Sequence, residues 1–260
     1  MKNWWLVAWF AMVRGRANLA MGKIDESWKS LEEGLQICEE HHIDELIVEI
    51  QCVLGELYRL LDMQEAAILA YQTALESKYP GKAALDAKYR LGSLVARRGE
   101  VERGMQMAQD AITEARKAGL GLIEIAAETA LGLLFFSQGK EEQALTLLEK
   151  CAAEGARRGM ATLPVSQLLA QSQIAARIGD LESVRQMAEQ LFSVARRLPN
   201  PWIGVWAYQL LSPSLRQSMD SSQLLNGVKE FLVPLDSGCQ DLSLRPYWEA
   251  LQTSIYQQLI

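Results

Sequence analysis

The feature that most constrains this chain is a sequence repeat with a period of about 40 residues. Five segments align on a turn position, and their spacings are 40, 37, 40 and 40 residues, with a small residue seven positions before each turn. The turn residues are Gly22, Asp62, Gly99, Gly139 and Gly179, and the small residues are Gly15, Gly55, Gly92, Gly132 and Ser172. A fixed period of this length indicates an array in which each repeat is one supersecondary unit.

Each repeat has the apolar spacing of two amphipathic helices. Leu54, Leu57, Tyr58 and Leu61 follow the i, i+3, i+4, i+7 spacing of one buried helical stripe. Alternation with a period of two is absent, so the sequence predicts an all-α fold. The predicted helices include 45–61 and 64–78 in the second repeat, and 122–138 and 141–158 in the fourth.

Small and bulky residues recur at fixed places around each turn. They are Leu54, Gly55, Ala67, Tyr71 and Ala74 in repeat two, Leu91, Gly92, Gly104, Ala108 and Ala111 in repeat three, and Leu131, Gly132, Ala144, Leu148 and Cys151 in repeat four. This pattern resembles the tetratricopeptide repeat family. The 40-residue length is similar to that of long repeats in the helical regions of bacterial signal-transduction ATPases and transcriptional regulators. HEAT and armadillo arrays rank second, because they lack the turn glycine.

The resemblance implies a right-handed α-solenoid of helical hairpins. Repeats one and five are degenerate, since Arg14 and Gln171 occupy the position of a large apolar residue. We expect five hairpins, at about 3–41, 44–78, 82–119, 121–159 and 162–198. Residues 201–260 should form a degenerate sixth repeat and an irregular cap, with helices ending near Leu235 and beginning at Arg245.

Composition and motifs narrow the function. The formal charge of −6 over 260 residues argues against nucleic acid, whose binding depends on Lys and Arg. No phosphate-binding loop, nucleophile elbow or zinc-protease motif occurs, so we expect a protein that is not an enzyme and uses no cofactor or metal. The apolar run near the start is too short to span a membrane. Four widely spaced cysteines are typical of reduced thiols, and we expect a cytoplasmic protein with no membrane partner.

The resemblance also implies a binding surface, because this family binds its ligands on the concave face of the solenoid. The equivalent residues here are Arg16, Glu49, Glu56, Arg59, Asp86, Tyr89, Arg97, Phe136, Gln173 and Arg177. Aromatic anchors beside charges suit a peptide or protein segment, so we expect a non-enzymatic scaffold or sensor module of a larger bacterial signalling protein. The alternative is a small-molecule-sensing helical domain, which a pocket around Tyr89, Leu133 and Phe136 would favour.

The first helix is unusual because it is apolar around most of its circumference. Trp4, Trp5, Trp9 and Phe10 leave few polar positions on it. Such a helix requires a neighbour, so we expect either upstream domains packed on it or a homodimer. Charge is also unevenly distributed, since residues 25–65 contain 12 Asp and Glu but 2 Lys and Arg.

Overall fold

A computed structural model of the chain describes residues 3–78, 81–159, 163–198, 200–215 and 221–259. Over these ranges it contains thirteen α-helices and no strand, which confirms the all-α prediction. The helices are α1 (Trp4–Ala20), α2 (Ile24–His41), α3 (Asp44–Leu60), α4 (Gln64–Leu75), α5 (Lys82–Arg97), α6 (Val101–Lys117), α7 (Gly121–Ser137), α8 (Glu141–Arg157), α9 (Leu163–Ile178), α10 (Leu181–Arg197), α11 (Pro201–Leu215), α12 (Ser221–Ser237) and α13 (Arg245–Leu259).

The helix boundaries follow the predicted repeat. The helices α3, α4, α7 and α8 begin and end within three residues of their predicted limits. All five turn residues have a positive φ, from 56° at Asp62 to 98° at Gly99. Glycine adopts this left-handed conformation without a steric penalty, and it commonly ends a helix in this way. Asp62 takes the same conformation because a short polar side chain tolerates it.

The chain divides into two compact units. The first contains Met1–Ala17 and Ser27–Gly159, and the second contains Asn18–Glu26 and Met160–Ile260. Within the first unit, each helix from α3 to α8 packs on the next, and α5 also contacts α3 and α7. The first helices of these successive hairpins are therefore neighbours, as expected for repeat packing. The right-handed solenoid stays a prediction.

Small residues allow the two helices of a hairpin to cross closely. A Cβ atom added to Gly92 of α5 would lie 2.7 Å from the backbone oxygen of Gly104 on α6. In the preceding hairpin, a Cβ atom added to Gly55 would lie 2.5 Å from Cε1 of Tyr71. Both distances are shorter than a van der Waals contact, so these crossings exclude any side chain larger than glycine unless the helices move apart.

The second unit has its own core. In it, α11 packs against α9, α10, α12 and α13. Trp202 and Trp248 are buried, with their rings edge to face and 6.1 Å between centroids. Their indole nitrogens also have partners, since Trp202 Nε1 donates to the backbone oxygen of Leu19 at 3.3 Å and Trp248 Nε1 to Asp236 Oδ1 at 2.9 Å. These bonds allow two large amphipathic rings to be buried without an unpaired donor.

The turn between α1 and α2 belongs to this second unit. Asp25 Oδ2 accepts hydrogen bonds from the backbone N–H groups of Gln240 at 2.6 Å and Asp241 at 2.9 Å. In return, the backbone N–H of Asp25 donates to the oxygen of Gly238 at 2.8 Å. The segment between α12 and α13 was expected to be part of a cap. It also holds a turn that lies more than 200 residues earlier in the sequence.

All four cysteines are buried free thiols. Burial, with smaller contributions from neighbouring carboxylates, raises the pKa of Cys38 to about 11. Burial likewise raises the pKa of Cys52, Cys151 and Cys239 to about 12. The reactive thiolate form is therefore scarce at neutral pH.

Replacing Gly92 by alanine should destabilise the first unit by about 1–3 kcal/mol, because the new methyl group meets backbone that cannot move alone. Gly132→Ala is the matched control, since its Cβ would approach the Leu148 side chain at 3.0 Å. That side chain can shift, and alanine gains helix propensity, so we expect a change below about 1 kcal/mol. Urea unfolding measures both, and equal losses in the two variants would contradict the close crossing.

Replacing Asp25 by alanine should loosen the second unit, because two backbone N–H groups lose a charged acceptor at a cost of about 1–3 kcal/mol. Asp25→Asn keeps one oxygen acceptor and should have a smaller effect. Hydrogen exchange in residues 225–259 should accelerate in the alanine variant. Lys23→Ala, an exposed change in the same turn, is the control. Unchanged exchange after Asp25→Ala would show that the turn is not held by this side chain.

Candidate binding surface

The candidate surface is formed by α3, α5 and α7, with α5 packed between the other two. Oppositely charged residues stand one turn apart on its helices, Glu56 and Arg59 on α3, and Asp86 and Arg90 on α5. Residues spaced by three or four positions lie on the same side of a helix. The sequence therefore brings four charges to the region where α3 meets α5.

Glu56 is the centre of a hydrogen-bond network on this surface. Arg59 contacts its carboxylate at two points, from Nη2 to Oε1 at 2.6 Å and from Nε to Oε2 at 2.9 Å. Arg90 of α5 donates from Nη1 to Oε2 at 2.6 Å, and the Tyr71 hydroxyl donates to the same oxygen at 3.4 Å. One carboxylate thus joins arginines from two successive hairpins.

Asp86 extends the network along α5. The Tyr89 hydroxyl donates to Asp86 Oδ1 at 2.5 Å. Arg90 Nε lies 3.2 Å from Asp86 Oδ2, close enough for an ion pair, but this N–H is not aligned for a hydrogen bond. The side chains of Glu56, Arg59, Asp86 and Arg90 are 26 to 33% exposed. A ligand can therefore reach charges whose positions are already fixed.

The network is ionised at neutral pH. Desolvation opposes the charge on Glu56, but the Arg59 and Arg90 guanidiniums outweigh it and lower the pKa of this carboxyl from 4.5 to about 2. Burial also opposes the charge on Arg90, and the adjacent Tyr89, Glu56 and Asp86 outweigh it, so the pKa of Arg90 rises above its ordinary value. Two carboxylates and two guanidiniums therefore balance each other.

The structure brings Glu56, Arg59, Asp86 and Tyr89 together, all four of which the sequence analysis selected. Tyr89, however, is 7% exposed and belongs to a buried cluster with side chains of α6 and α7. The expectation that Tyr89 lines the binding face is wrong, because its ring packs in the core and its hydroxyl is held by Asp86. Tyr89 positions the network from beneath.

Arg97 and Phe136 lie at the edge of this surface, in the last turns of α5 and α7. Arg97 is exposed, and its Nη2 atom is 3.8 Å from Asp62 Oδ1, a loose ion pair. Phe136 is half-buried. Arg59 also lies in the last turn of its helix, so three neighbouring helices end in two guanidiniums and one aromatic ring.

The other selected residues are not part of the network. Glu49 is half-buried on α3, and Arg16 is exposed on α1. Gln173 and Arg177 are exposed on α9, which belongs to the second unit. Each unit is therefore considered separately, and the candidate surface is the one in the first unit.

Two charged residues with defined partners were not selected from the sequence, Arg90 and Glu128. Glu128 is 8% exposed in the otherwise apolar helix α7. Lys150 Nζ donates to its Oε1 at 3.0 Å and Arg116 Nη2 at 3.3 Å. A lone charge within an apolar helix was the available signal, because a buried charge requires partners.

The tryptophans of α1 have partners on α2 and α3. Trp4 stacks on His41 with 4.3 Å between ring centroids. Trp5 Nε1 donates to Glu45 Oε1 at 2.6 Å, and the Trp5 ring stacks with that of Trp9 at 6.4 Å. The polar edge of Trp5 is therefore satisfied, while part of its ring remains exposed.

Over the described ranges, no group of three His, Cys, Asp or Glu side chains is arranged to hold a metal ion. None of the described helices combines the length and the apolar character that crossing a membrane requires.

Comparison with known proteins yields a similarity of fold. No family model matches the chain, and no curated protein matches it. Among solved structures, it is similar to the crystal structure of BtubC (BKLC) from P. vanneervenii, with a TM-score of 0.51 and 15% sequence identity. The match covers 88% of this chain and 91% of that chain. At this level of identity the similarity concerns the fold alone.

Replacing Glu56 by glutamine should reduce stability at neutral pH by about 2 kcal/mol, a value that allows for solvent screening of a partly exposed carboxylate. Because the pKa of Glu56 is about 2 in the folded chain and 4.5 is its ordinary value, its contribution is complete above about pH 5 and is lost as the pH falls toward 2.

Urea unfolding between pH 3 and 7 tests this expectation. The variant should lose less stability than the wild type as the pH falls. Glu142→Gln changes an exposed carboxylate on α8 and serves as the control. Parallel pH profiles for the wild type and Glu56→Gln would show that the network does not contribute to folding.

Proposed function

We propose that this chain is a non-enzymatic interaction module that binds a peptide or protein segment on the surface of α3, α5 and α7. The observation that carries the proposal is the partly exposed ion network around Glu56. Its charges are oriented before any ligand arrives, so binding need not order them, and preorganisation of this kind favours affinity and specificity.

The donor groups of the surface indicate what it recognises. Arg59 uses two of its five N–H groups on Glu56. The exposed Arg97 guanidinium has a loose contact with Asp62. Such groups suit carboxylates and backbone carbonyls, because a guanidinium donates several hydrogen bonds in one plane. Phe136 supplies an apolar contact beside them. The favoured ligand is thus a segment with an apolar anchor next to a carboxylate or exposed carbonyls.

The alternative function, small-molecule sensing, loses its specific support. It depends on a pocket around Tyr89, Leu133 and Phe136, and the Tyr89 ring is packed in the core. A ligand in the surface between these helices would instead contact side chains on an open face. The peptide proposal therefore has the stronger basis.

The cellular context is part of the proposal. A cytoplasmic regulator in a bacterial signalling protein is consistent with four buried, unpaired thiols. Free thiols of this kind persist in a reducing compartment.

Selection of peptides from a random displayed library against the 260-residue chain tests the proposal. For a selected peptide, Arg97→Glu combined with Phe136→Ala should weaken binding at least about thirtyfold, the loss typical of interface hot spots. Both side chains lie outside the buried core, so the variant should remain folded by circular dichroism.

The matched control is Arg103→Glu, which changes an exposed arginine on α6, outside the candidate surface. It should leave affinity unchanged. Hydrogen exchange of the complex should show protection in α3, α5 and α7. Retained binding by the Arg97 and Phe136 variant, with protection elsewhere, would contradict the proposed surface.

A further inference from the structure

One face of α1 is exposed and almost wholly apolar. Trp5, Leu6, Phe10 and Val13 are 39, 42, 61 and 39% exposed. Leu6, Phe10 and Val13 have the i, i+4, i+7 spacing of a helix-packing stripe. The opposite side of the helix is buried. Large apolar side chains that form a continuous exposed stripe mark an interaction surface.

Opposite charges lie at the two ends of one edge of this stripe. Near its start, Glu45 of α3 accepts the hydrogen bond from Trp5 Nε1. Near its end, Arg16 follows Trp5 by eleven residues, about three helical turns, so it lies on the same edge. Arg16 is exposed, and neither Arg16 nor Glu45 forms an ion pair with another described residue. The helix itself carries no Asp or Glu.

We propose that α1 packs antiparallel against α1 of a second copy of this chain, in a two-fold symmetric dimer. A two-fold axis perpendicular to the two helices places each edge of the stripe against the same edge of the other copy, in reversed direction. With the axis midway between Leu6 and Val13, Leu6 faces the second copy's Val13. Phe10 then lies at the centre of the contact.

The charges match in this arrangement. The second copy's Arg16 lies about 3 Å along the helix axis from the level of Trp5, a separation of two residues at 1.5 Å each. An arginine side chain spans that distance, so it meets Glu45 and the Trp5 ring. The same pair forms twice, because a two-fold interface is self-complementary. This match favours a second copy over an unrelated helix, which has no reason to present the complementary charge at that point.

The surrounding charge disfavours a lipid surface as the occupant. Residues 25–65, which include α2 and α3, contain 12 acidic and 2 basic residues. An anionic membrane would be repelled by this excess. The dimer surface on α1 is separate from the proposed peptide surface, so the two proposals stand or fall independently.

Sedimentation and light scattering of the 260-residue chain test the dimer. The wild type should dimerise with rising concentration, and Phe10→Glu should be a folded monomer. Leu69→Glu is the matched control, because Leu69 of α4 is 65% exposed and lies outside α1. A monomeric wild type would overturn the proposal, including one that binds anionic vesicles through α1. So would a Phe10→Glu variant that still dimerises.

Charge reversal tests the antiparallel arrangement. Arg16→Glu and Glu45→Arg should each weaken self-association about tenfold, since each creates two like-charge contacts per dimer. Mixing the two variants should restore dimers of mixed composition, because both pairs are then opposite in charge. Failure of the mixture to associate more tightly than either variant alone would overturn the arrangement. A partner other than a second copy could not produce this rescue.

Discussion

Close approach of the two helices in each hairpin is the constraint on which the other features depend. Where Gly92 faces Gly104, no side chain separates the helix backbones, and where Gly55 faces Tyr71 an aromatic ring fills the space. The short crossing keeps the first helices of successive hairpins in contact. This contact is what allows Arg90 of α5 to reach a carboxylate on α3.

The charge network converts this packing into a surface with a defined pattern of donors. Taking charges partly out of water is unfavourable unless they are paired, and here each carboxylate has an arginine partner. The resulting geometry is rigid where it is anchored by Tyr71 and Tyr89 from below. It is open above, where solvent reaches the arginines. A rigid base under an accessible top is the arrangement that selective recognition requires.

The repeat and its helices could be predicted from sequence because their signals are local. A glycine turn, a small residue seven positions earlier and a 3.6-residue apolar period each involve one hairpin. Arg90 was missed because its role depends on Glu56, 34 residues away in another hairpin. Tyr89 was misplaced because an amphipathic tyrosine satisfies a core position as well as a surface one. Contact between Asp25 and Gln240 spans 215 residues and leaves no trace in a period of 40.

The buried cysteines have a practical consequence for chemistry on this protein. Because their thiols are shielded and their pKa values lie near 11 to 12, alkylating reagents at neutral pH should pass over them. A single cysteine introduced on an exposed helix would then be the preferred target for a maleimide dye or spin label. The natural sequence thus provides a background on which distances and motions can be measured without first removing its own thiols.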